Sequence, residues 1–205
     1  MDERQLPAAR ARIVLKQISA RAWEHPADRA ALNTLRSLPG FDDVLRKIYG
    51  FFGERGVRLL FQANAVRVGP TQFPRVHGVF TEVCATMDWE PRPDLFISQT
   101  PLVNAGAYGM DRPFIVLNSG ALALLDDEEL RTILGHELGH VISGHALYRT
   151  ILVILLEFGF RNLPFLAGIA LLPIQIALME WYRKSELSSD RAGLLASQDP
   201  VASMR

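Results

Sequence analysis

The spacing of apolar residues predicts helices along the first part of the chain. Residues 10–36 are rich in Ala, Leu and Arg and indicate helix. The step His25-Pro26 breaks this run, because a proline disfavours the α conformation of the residue before it, and Asp28 is a suitable start for the next helix. Leu38-Pro39-Gly40 predicts a turn, and helical spacing returns from Phe41 to Phe52.

The centre of the chain predicts a small sheet. Residues 57–68 are apolar and β-prone, and a helix is expected from Pro70 to about Met87. Two short apolar runs, Asp94–Ser98 and Pro113–Asn118, have the length and composition of strands. With the helix that follows them they predict an α+β fold, in which a mostly helical body has a small β-sheet beside one long helix.

That long helix is predicted from about Asp127 to Tyr148, with Asp126 as its N-cap. Acidic residues fill its first turn, where they favour the positive end of the helix dipole. Its apolar residues keep approximate helical spacing at Leu130, Ile133, Leu134, Leu138 and Val141.

The same helix carries the pattern Gly135-His136-Glu137-Leu138-Gly139-His140. Histidines four residues apart lie on one helical face, so His136 and His140 can reach one tetrahedral metal. Glu137 can then act as general base towards a water on that metal. The alternative is a helix with two surface histidines, but the upstream face is apolar rather than solvated.

A catalytic zinc usually takes a third protein ligand. His145 lies five residues after His140, on a different helical face, and we interpret it as a supporting or structural residue. Glu186 and Asp190 share one face of a second predicted helix. Glu186 can bind the metal, and Asp190 can accept a hydrogen bond from the free ring nitrogen of a ligand histidine. Taken alone they would be a solvated acidic pair; beside a histidine motif that lacks a ligand, the metal interpretation is favoured.

These residues also carry a family resemblance. The run LNSGALALLDDEELRTILGHELGHVISGH, followed by SELSSDRAG, resembles the HtpX-like and CAAX-prenyl-protease-type metallopeptidases, which are gluzincins. The resemblance implies one zinc per chain, a catalytic Glu and a supporting Asp. The implied ligands are His136, His140 and Glu186, with Glu137 as the catalytic residue and Asp190 as the supporting one.

The resemblance covers about Asp94 to Ala196. Within it, Asn104 and Ala105 look like the N-A motif that precedes the family's edge strand and binds extended substrate backbone. We therefore expect an N-terminal helical or accessory region at 1–69 and a metallopeptidase domain at 70–205. Relatives continue beyond the second metal helix, so a truncated C-terminus is expected.

An apolar insert, residues 151–179, separates the two metal helices. Both helices must meet at one metal, so the chain has to return to the side from which it left. Two membrane crossings need about 40 residues, and a buried or membrane-surface helical hairpin, bent at Pro164 and Pro173, is more economical. The sequence therefore predicts a soluble or peripheral protein whose insert can contact a membrane surface, with an integral membrane protease as the alternative.

Composition adds little to this picture. Lys+Arg and Asp+Glu are both 22, which gives no support for a nucleic-acid partner. Cys84 is the single cysteine, which suits a reducing compartment, and the charged N-terminus lacks the apolar stretch of a signal peptide. We expect a cytoplasmic or membrane-associated zinc endopeptidase acting on peptides or proteins. A non-catalytic zinc-binding scaffold and a metal-free helical interaction module stay open as alternatives.

Overall fold

The computed structural model of the chain describes residues 12–159 and 165–204. The helices are α1 (Pro26–Arg36), α2 (Phe41–Gln62), α3 (Pro74–Thr86), α4 (Ser119–Leu124), α5 (Asp127–Ile142), α6 (His145–Ile154) and α7 (Phe165–Ser197). The strands are β1 (Ala65–Arg67), β2 (Asp94–Ser98), β3 (Ala105–Tyr108) and β4 (Phe114–Asn118). Short 3-10 turns occupy Ala20–Ala22 and Ala202–Met204, and a π-helical turn occupies Leu155–Gly159. The predicted α+β class, mostly helical with a small sheet, is confirmed.

The four strands form one mixed sheet in the order β1-β2-β4-β3. β2 and β4 are parallel in the centre, and β1 and β3 pair with them antiparallel at the two edges. Side chains alternate between the faces: Ile97 and Leu117 belong to a core shared with α3 and α5, whereas Phe96 and Val116 belong to a core shared with α2, α6 and α7. The sheet is therefore covered on both faces by helices.

Both predicted central strands are confirmed. The prediction of β structure over residues 57–68 was mostly wrong. Helix α2 continues to Gln62, and only Ala65–Arg67 form a strand. Val57 is fully buried in the second core, so burial on a helix explains the apolar character that looked β-prone. The predicted helix before His25 is also wrong for the described residues 12–24, where only Ala20–Ala22 form a 3-10 turn.

Other boundaries differ by a few residues. α1 begins at Pro26 rather than Asp28, with His25 as its N-cap: the Nδ1 of His25 accepts a hydrogen bond from Ala27 N at 3.1 Å. α3 begins at Pro74 rather than Pro70. The N-cap predicted at Asp126 is confirmed.

The helix that carries the histidine motif ends earlier than predicted. α5 stops at Ile142, and Gly144 adopts a left-handed backbone conformation with φ of 73°. Glycine adopts this conformation without steric cost, which is why it ends helices so often. α6 then leaves at 93° to α5, so His145 turns back towards α5 instead of continuing along it.

α5 and α7 pack at very short range through small residues. A Cβ added at Gly135 would lie 2.3 Å from the Cβ of Ala196, and one added at Gly139 would lie 2.4 Å from the Cβ of Ala192. Since no real Cβ contacts are that short, these positions are restricted to glycine unless the helices move apart. This close approach brings the side chains of the two helices to one another.

Part of the predicted insert hairpin, including the bend at Pro164, lies outside the described residues. The helix assignment of α7 runs through Pro173, where a second bend was expected. Within 12–159 and 165–204, no single helix is long and apolar enough to cross a membrane; the bent pair Asp127–Ile142 and His145–Glu157 passes this test by length and composition.

Candidate metal centre

Three side chains from α5 and α7 converge on one point. The Nε2 atoms of His136 and His140 are 3.1 Å apart. The carboxylate of Glu186 reaches both: Oε2 is 3.2 Å from His136 Nε2, and Oε1 is 3.4 Å from His140 Nε2. The three ligand atoms lie within 4.8 Å of one another. The structure thus brings together the three residues predicted as metal ligands.

His136 forms the more exposed side of this cluster. Its Nδ1 lies 3.0 Å from Oδ1 of Asp190, one turn after Glu186 on α7, where sequence analysis placed a hydrogen-bond partner. Burial lowers the pKa of His136, but the hydrogen bonds with Asp190 and Glu186 and the charge of Glu137 outweigh it and raise that pKa to about 9. The ring therefore binds a proton strongly when nothing else occupies its Nε2.

His140 is fully buried and has a different neighbour. Its Nδ1 lies 3.1 Å from Nδ1 of His145, the first residue of α6. Burial lowers the pKa of His140 despite the nearby carboxylates, because a charged ring is poorly solvated there. Sequence analysis interpreted His145 as a supporting or structural residue on a different helical face; in the structure Gly144 turns His145 back onto His140.

Glu186 carries the feature that best fits a cation. Its Oε1 is buried and makes no hydrogen bond of good geometry with the described residues. Burial raises the pKa of this carboxyl, but the hydrogen bonds and charges of His136 and His140 outweigh that effect and hold the pKa far below its usual range. A buried, ionised carboxylate together with two imidazole nitrogens is a donor set that suits a divalent metal ion.

Glu137, the predicted general base, is buried next to an arginine that sequence analysis missed. Nη1 of Arg149 donates to Oε2 of Glu137 at 3.1 Å, and Nη2 of Arg149 donates to the carbonyl oxygen of Ala105 at 3.1 Å. The guanidinium also lies over the rings of Tyr108 and Tyr182, with centroid distances of 5.2 and 5.4 Å. A lone Arg in the apolar run ALYRTILVI was the available signal, since a buried charge needs a partner.

Asp28 was missed as a site residue altogether. It comes from α1, outside the predicted peptidase domain, yet it is 1% exposed. Its Oδ2 lies 3.1 Å from Nε2 of His145 and accepts a hydrogen bond from Ser188, and its Oδ1 accepts one from Trp181. No local pattern could have identified Asp28, because its partners are more than 100 residues away in sequence.

Asn104 and Ala105 stand at the start of β3, the edge strand next to β4. The carbonyl oxygen of Asn104 accepts a hydrogen bond from Asn118 N at 3.0 Å. That of Ala105 accepts from Arg149, so the predicted substrate-binding strand is tied directly to Glu137.

An H-E-x-x-H helix whose histidines meet a glutamate from a second helix is the arrangement of a zincin-type metallopeptidase. The comparison with protein families identifies the family within this class. The family model "Peptidase family M48" matches residues 70–205, and the chain belongs to this family. The family predicted from the two motifs is confirmed.

Curated relatives agree with this assignment. The chain is 31% identical over 190 residues to plastoglobule-localized metallopeptidase 48, chloroplastic, of Arabidopsis thaliana, which covers 92% of this chain and 55% of that protein. It is 30% identical over 175 residues to a protease HtpX homolog of Pseudarthrobacter chlorophenolicus, which covers 75% of this chain and 60% of that protein. The chain thus spans about half the length of these relatives. No solved structure matches it.

Proposed function

We propose that the chain carries the catalytic centre of a zinc-dependent endopeptidase. The observation that carries the proposal is the convergence of His136, His140 and Glu186 within 4.8 Å, with a buried carboxylate oxygen left without a hydrogen bond. Membership of a peptidase family supports hydrolysis of peptide bonds, in peptide or protein substrates, as the reaction.

In this proposal His136, His140 and Glu186 hold one zinc ion. When bound, zinc supplies a Lewis acid that polarises the scissile carbonyl and makes a water molecule acidic enough to attack it. The three residues supply two neutral nitrogens and one negative oxygen, which leaves a position open for water and substrate. His136 must release its proton for this purpose, since protonated imidazole has no free lone pair at Nε2.

Glu137 takes the proton from the attacking water and passes it to the departing amine. Arg149 holds this carboxylate through Nη1 at 3.1 Å, which fixes its orientation. The same guanidinium donates to the carbonyl oxygen of Ala105, so Arg149 fixes the position of Glu137 relative to the start of β3.

The substrate would lie along β3 as an added strand. β3 is an edge of the sheet, and an edge strand can offer main-chain groups to an extended peptide; the carbonyl of Ala105 is already bound by Arg149. We place Asn104 and Ala105 at the beginning of this binding edge. Main-chain recognition of this kind accepts many sequences, which suits a peptidase whose side-chain preference is set elsewhere.

The test is a pair of variants assayed for zinc content and for hydrolysis of a quenched-fluorescence peptide library. Glu186→Ala should lose stoichiometric zinc and all activity. Glu137→Gln should keep zinc, while kcat/KM falls by about 10²–10⁴-fold, the usual contribution of general base catalysis. Glu82→Gln, an exposed carboxylate on α3, is the matched control and should retain both.

The two readouts separate the alternatives. Zinc without turnover of any peptide would favour a non-catalytic zinc-binding scaffold. Absence of zinc from the wild-type protein would favour an interaction module and end the proposal. Undiminished hydrolysis in Glu137→Gln would overturn the assigned mechanism alone.

We further propose peripheral lipid contact through the exposed face of α7. Leu172, Ile176 and Met179 are exposed and recur at helical spacing, and Leu156 of the π-helical turn is also exposed. An uncharged apolar stripe of this kind can bury itself at a lipid interface. The plastid relative is named for its location at plastoglobules, which is consistent with such contact.

Vesicle flotation tests this second proposal. Wild-type protein should float with phosphatidylcholine and phosphatidylglycerol vesicles, and Leu172→Asp/Ile176→Asp should not. Leu59→Asp changes an exposed leucine on α2 and is the control. Equal flotation of the double variant would contradict contact through α7. Resistance to extraction with carbonate would instead indicate an integral protein.

A further inference from the structure

We propose that Asp28, acting through His145, is a positioning residue that sets the tautomer of His140 and so presents the Nε2 lone pair of that ring to zinc. The inference rests on the proposed metal centre. It gives the N-terminal helix α1 a role in that centre, although the family match begins only at residue 70.

The carboxylate of Asp28 has three side-chain partners, His145, Trp181 and Ser188. An ionised carboxylate only accepts. Its Oδ1 accepts from the indole N–H of Trp181 at 3.1 Å, and Trp181 can only donate. Its Oδ2 accepts from the hydroxyl of Ser188 at 2.5 Å and faces Nε2 of His145 at 3.1 Å. Nε2 of His145 therefore carries a proton, and in the neutral ring this is the only nitrogen-bound proton.

This tautomer propagates to the metal ligand. With its proton on Nε2, His145 offers a lone pair at Nδ1, which faces Nδ1 of His140 at 3.1 Å. Two ring nitrogens at this distance need one donor and one acceptor. His140 must then hold its proton on Nδ1, which leaves Nε2 free as a ligand atom on the side of His136 and Glu186.

Because the hydrogen-bonded residues Asp28, His145 and His140 are buried, their hydrogen bonds cannot be replaced by bonds to water. Asp28, His140 and His145 are each no more than 2% exposed. Burial raises the pKa of Asp28, but the hydrogen bond and the charge of His145, followed by hydrogen bonds from Ser188 and Trp181, outweigh it and lower that pKa below its ordinary value. The carboxylate is therefore ionised at neutral pH, as the tautomer argument requires.

The position of α1 is itself fixed from α7. The backbone N–H of His25 donates to Oγ of Ser188 at 3.0 Å, and the same hydroxyl donates to Asp28. Ser188 lies between Glu186 and Asp190 on α7. The same segment of α7 therefore carries the candidate ligand Glu186 and also holds Asp28, which supports the candidate ligand His140 through His145.

The first measurement needs no variant. Long-range ¹H–¹⁵N correlation spectra report the tautomer of each imidazole. In the zinc-loaded protein we expect His145 as the Nε2–H form and His140 as the Nδ1–H form, and His145 should keep this form without zinc. A His145 ring with its proton on Nδ1 would overturn the proposal even if the protein binds zinc.

The second measurement uses a substitution that cannot satisfy both donors. Asp28→Asn has one oxygen and one NH₂ group, so it must present NH₂ either to His145 or to the indole N–H of Trp181. We expect zinc binding about 10–100-fold weaker, the usual cost of losing an outer partner of a metal-binding His. Trp181→Phe removes the competing donor, so Asp28→Asn/Trp181→Phe should bind zinc more tightly than Asp28→Asn.

Zinc affinity is measured by chelator competition, and folding of each zinc-free variant is checked by circular dichroism and thermal unfolding, with Trp181→Phe alone as the control. A purely structural role for Asp28 predicts additive losses in the double variant, and that result would refute the proposal. Wild-type affinity in folded Asp28→Asn would refute it too, while failure of the wild type to bind zinc would refute the proposed function instead.

Discussion

The candidate metal centre has two halves that differ in the hydrogen-bond partner of each histidine Nδ1 and in the solvent exposure of that partner. In the outer half, His136 is 19% exposed and its partner Asp190 is 67% exposed. In the inner half, His140 and the carboxylate of Asp28 are almost completely buried, and His145 lies between them. Helix α5 thus carries two imidazoles that meet at the candidate metal site, one in a partly exposed environment and one in a buried environment.

The difference appears in the protonation of the two rings. Burial lowers the pKa of His136, but its hydrogen bonds with Asp190 and Glu186 outweigh this effect and raise the pKa to about 9. Burial dominates at His140 and lowers the pKa of that ring. Polar partners in the outer half can be replaced by water, but those in the inner half cannot. We therefore expect changes in the inner half to affect folding as well as zinc affinity, and changes in the outer half to affect mainly zinc affinity.

The largest effect is expected for Asp28→Ala. It leaves three buried donors, on His145, Trp181 and Ser188, without their acceptor. Each such group costs about 1–3 kcal/mol, so the free energy of unfolding of the zinc-free protein should fall by about 3 kcal/mol or more. Urea unfolding measures this loss.

Asp43→Ala provides the control for that experiment. Asp43 pairs with Arg46 on the surface of α2, and both side chains are mostly exposed, so the change should leave unfolding within about 0.5 kcal/mol of wild type. If Asp28→Ala behaved like this control, the inner half would not be a buried network at all.

The next effect concerns the helix packing on which both halves depend. Gly139→Ala would place a Cβ 2.4 Å from that of Ala192 and push α7 away from α5. Overpacking of this kind costs about 1–3 kcal/mol, and zinc affinity should fall because Glu186 moves with α7. Gly135→Ala, facing Ala196, should be similar, since the contact behind the outer half is equally short.

Gly78→Ala on α3 is the matched control. A Cβ at Gly78 meets nothing within 4 Å, so the change should be neutral or stabilise the helix by about 0.5–1 kcal/mol. Zinc binding by Gly139→Ala at wild-type strength would show that the helix pair can separate without disturbing the ligands.

Zinc affinity should depend on pH through the outer half. Because the pKa of His136 is raised above 6.5 to about 9, the metal-free ring is protonated at pH 7 and zinc must displace that proton. Affinity should rise about tenfold per pH unit from pH 6.5 and level off near pH 9, since one proton is released. Conversely, protonated His136 stabilises the metal-free protein fully below pH 6.5, and this contribution is lost as pH rises towards 9.

Chelator competition between pH 6.5 and 9.5 measures this slope. Asp190→Asn keeps an acceptor for Nδ1 but loses the charge, so its affinity should level off at lower pH. A flat profile for the wild type would mean that His136 is already neutral in the metal-free protein.

The three candidate ligands and Asp190 were largely predictable from sequence, and the residues behind His140 were not. His136, His140, Glu186 and Asp190 form two pairs with i, i+4 spacing, and such spacing fixes a shared helical face without knowledge of the fold. The two central strands were also predicted, because their apolar runs are too short for a typical helix and are flanked by turn residues. The family resemblance then joined the two pairs.

Asp28, His145 and Arg149 required the tertiary structure. The direction of His145 depends on the left-handed conformation of Gly144, which ended a helix that the apolar spacing extended to Tyr148. Asp28 reaches the site only because α1 packs on α7, and that contact joins residues more than 150 positions apart. The division of the chain at residue 70 stays a prediction, although α1 supplies a carboxylate to the centre.

The smallest effect is expected for Asp190→Ala, which tests the outer half directly. Asp190 is exposed, so water can replace its oxygen behind His136, and unfolding should stay within about 0.5 kcal/mol of wild type. Zinc affinity should fall about tenfold, at the lower end of the range for outer partners of a metal-binding His. The pKa of His136, followed by NMR in the zinc-free protein, should decrease because a hydrogen bond that raises it is lost. An Asp190→Ala protein as unstable as Asp28→Ala would mean that exposure does not distinguish the two halves, and the comparison between them would no longer hold.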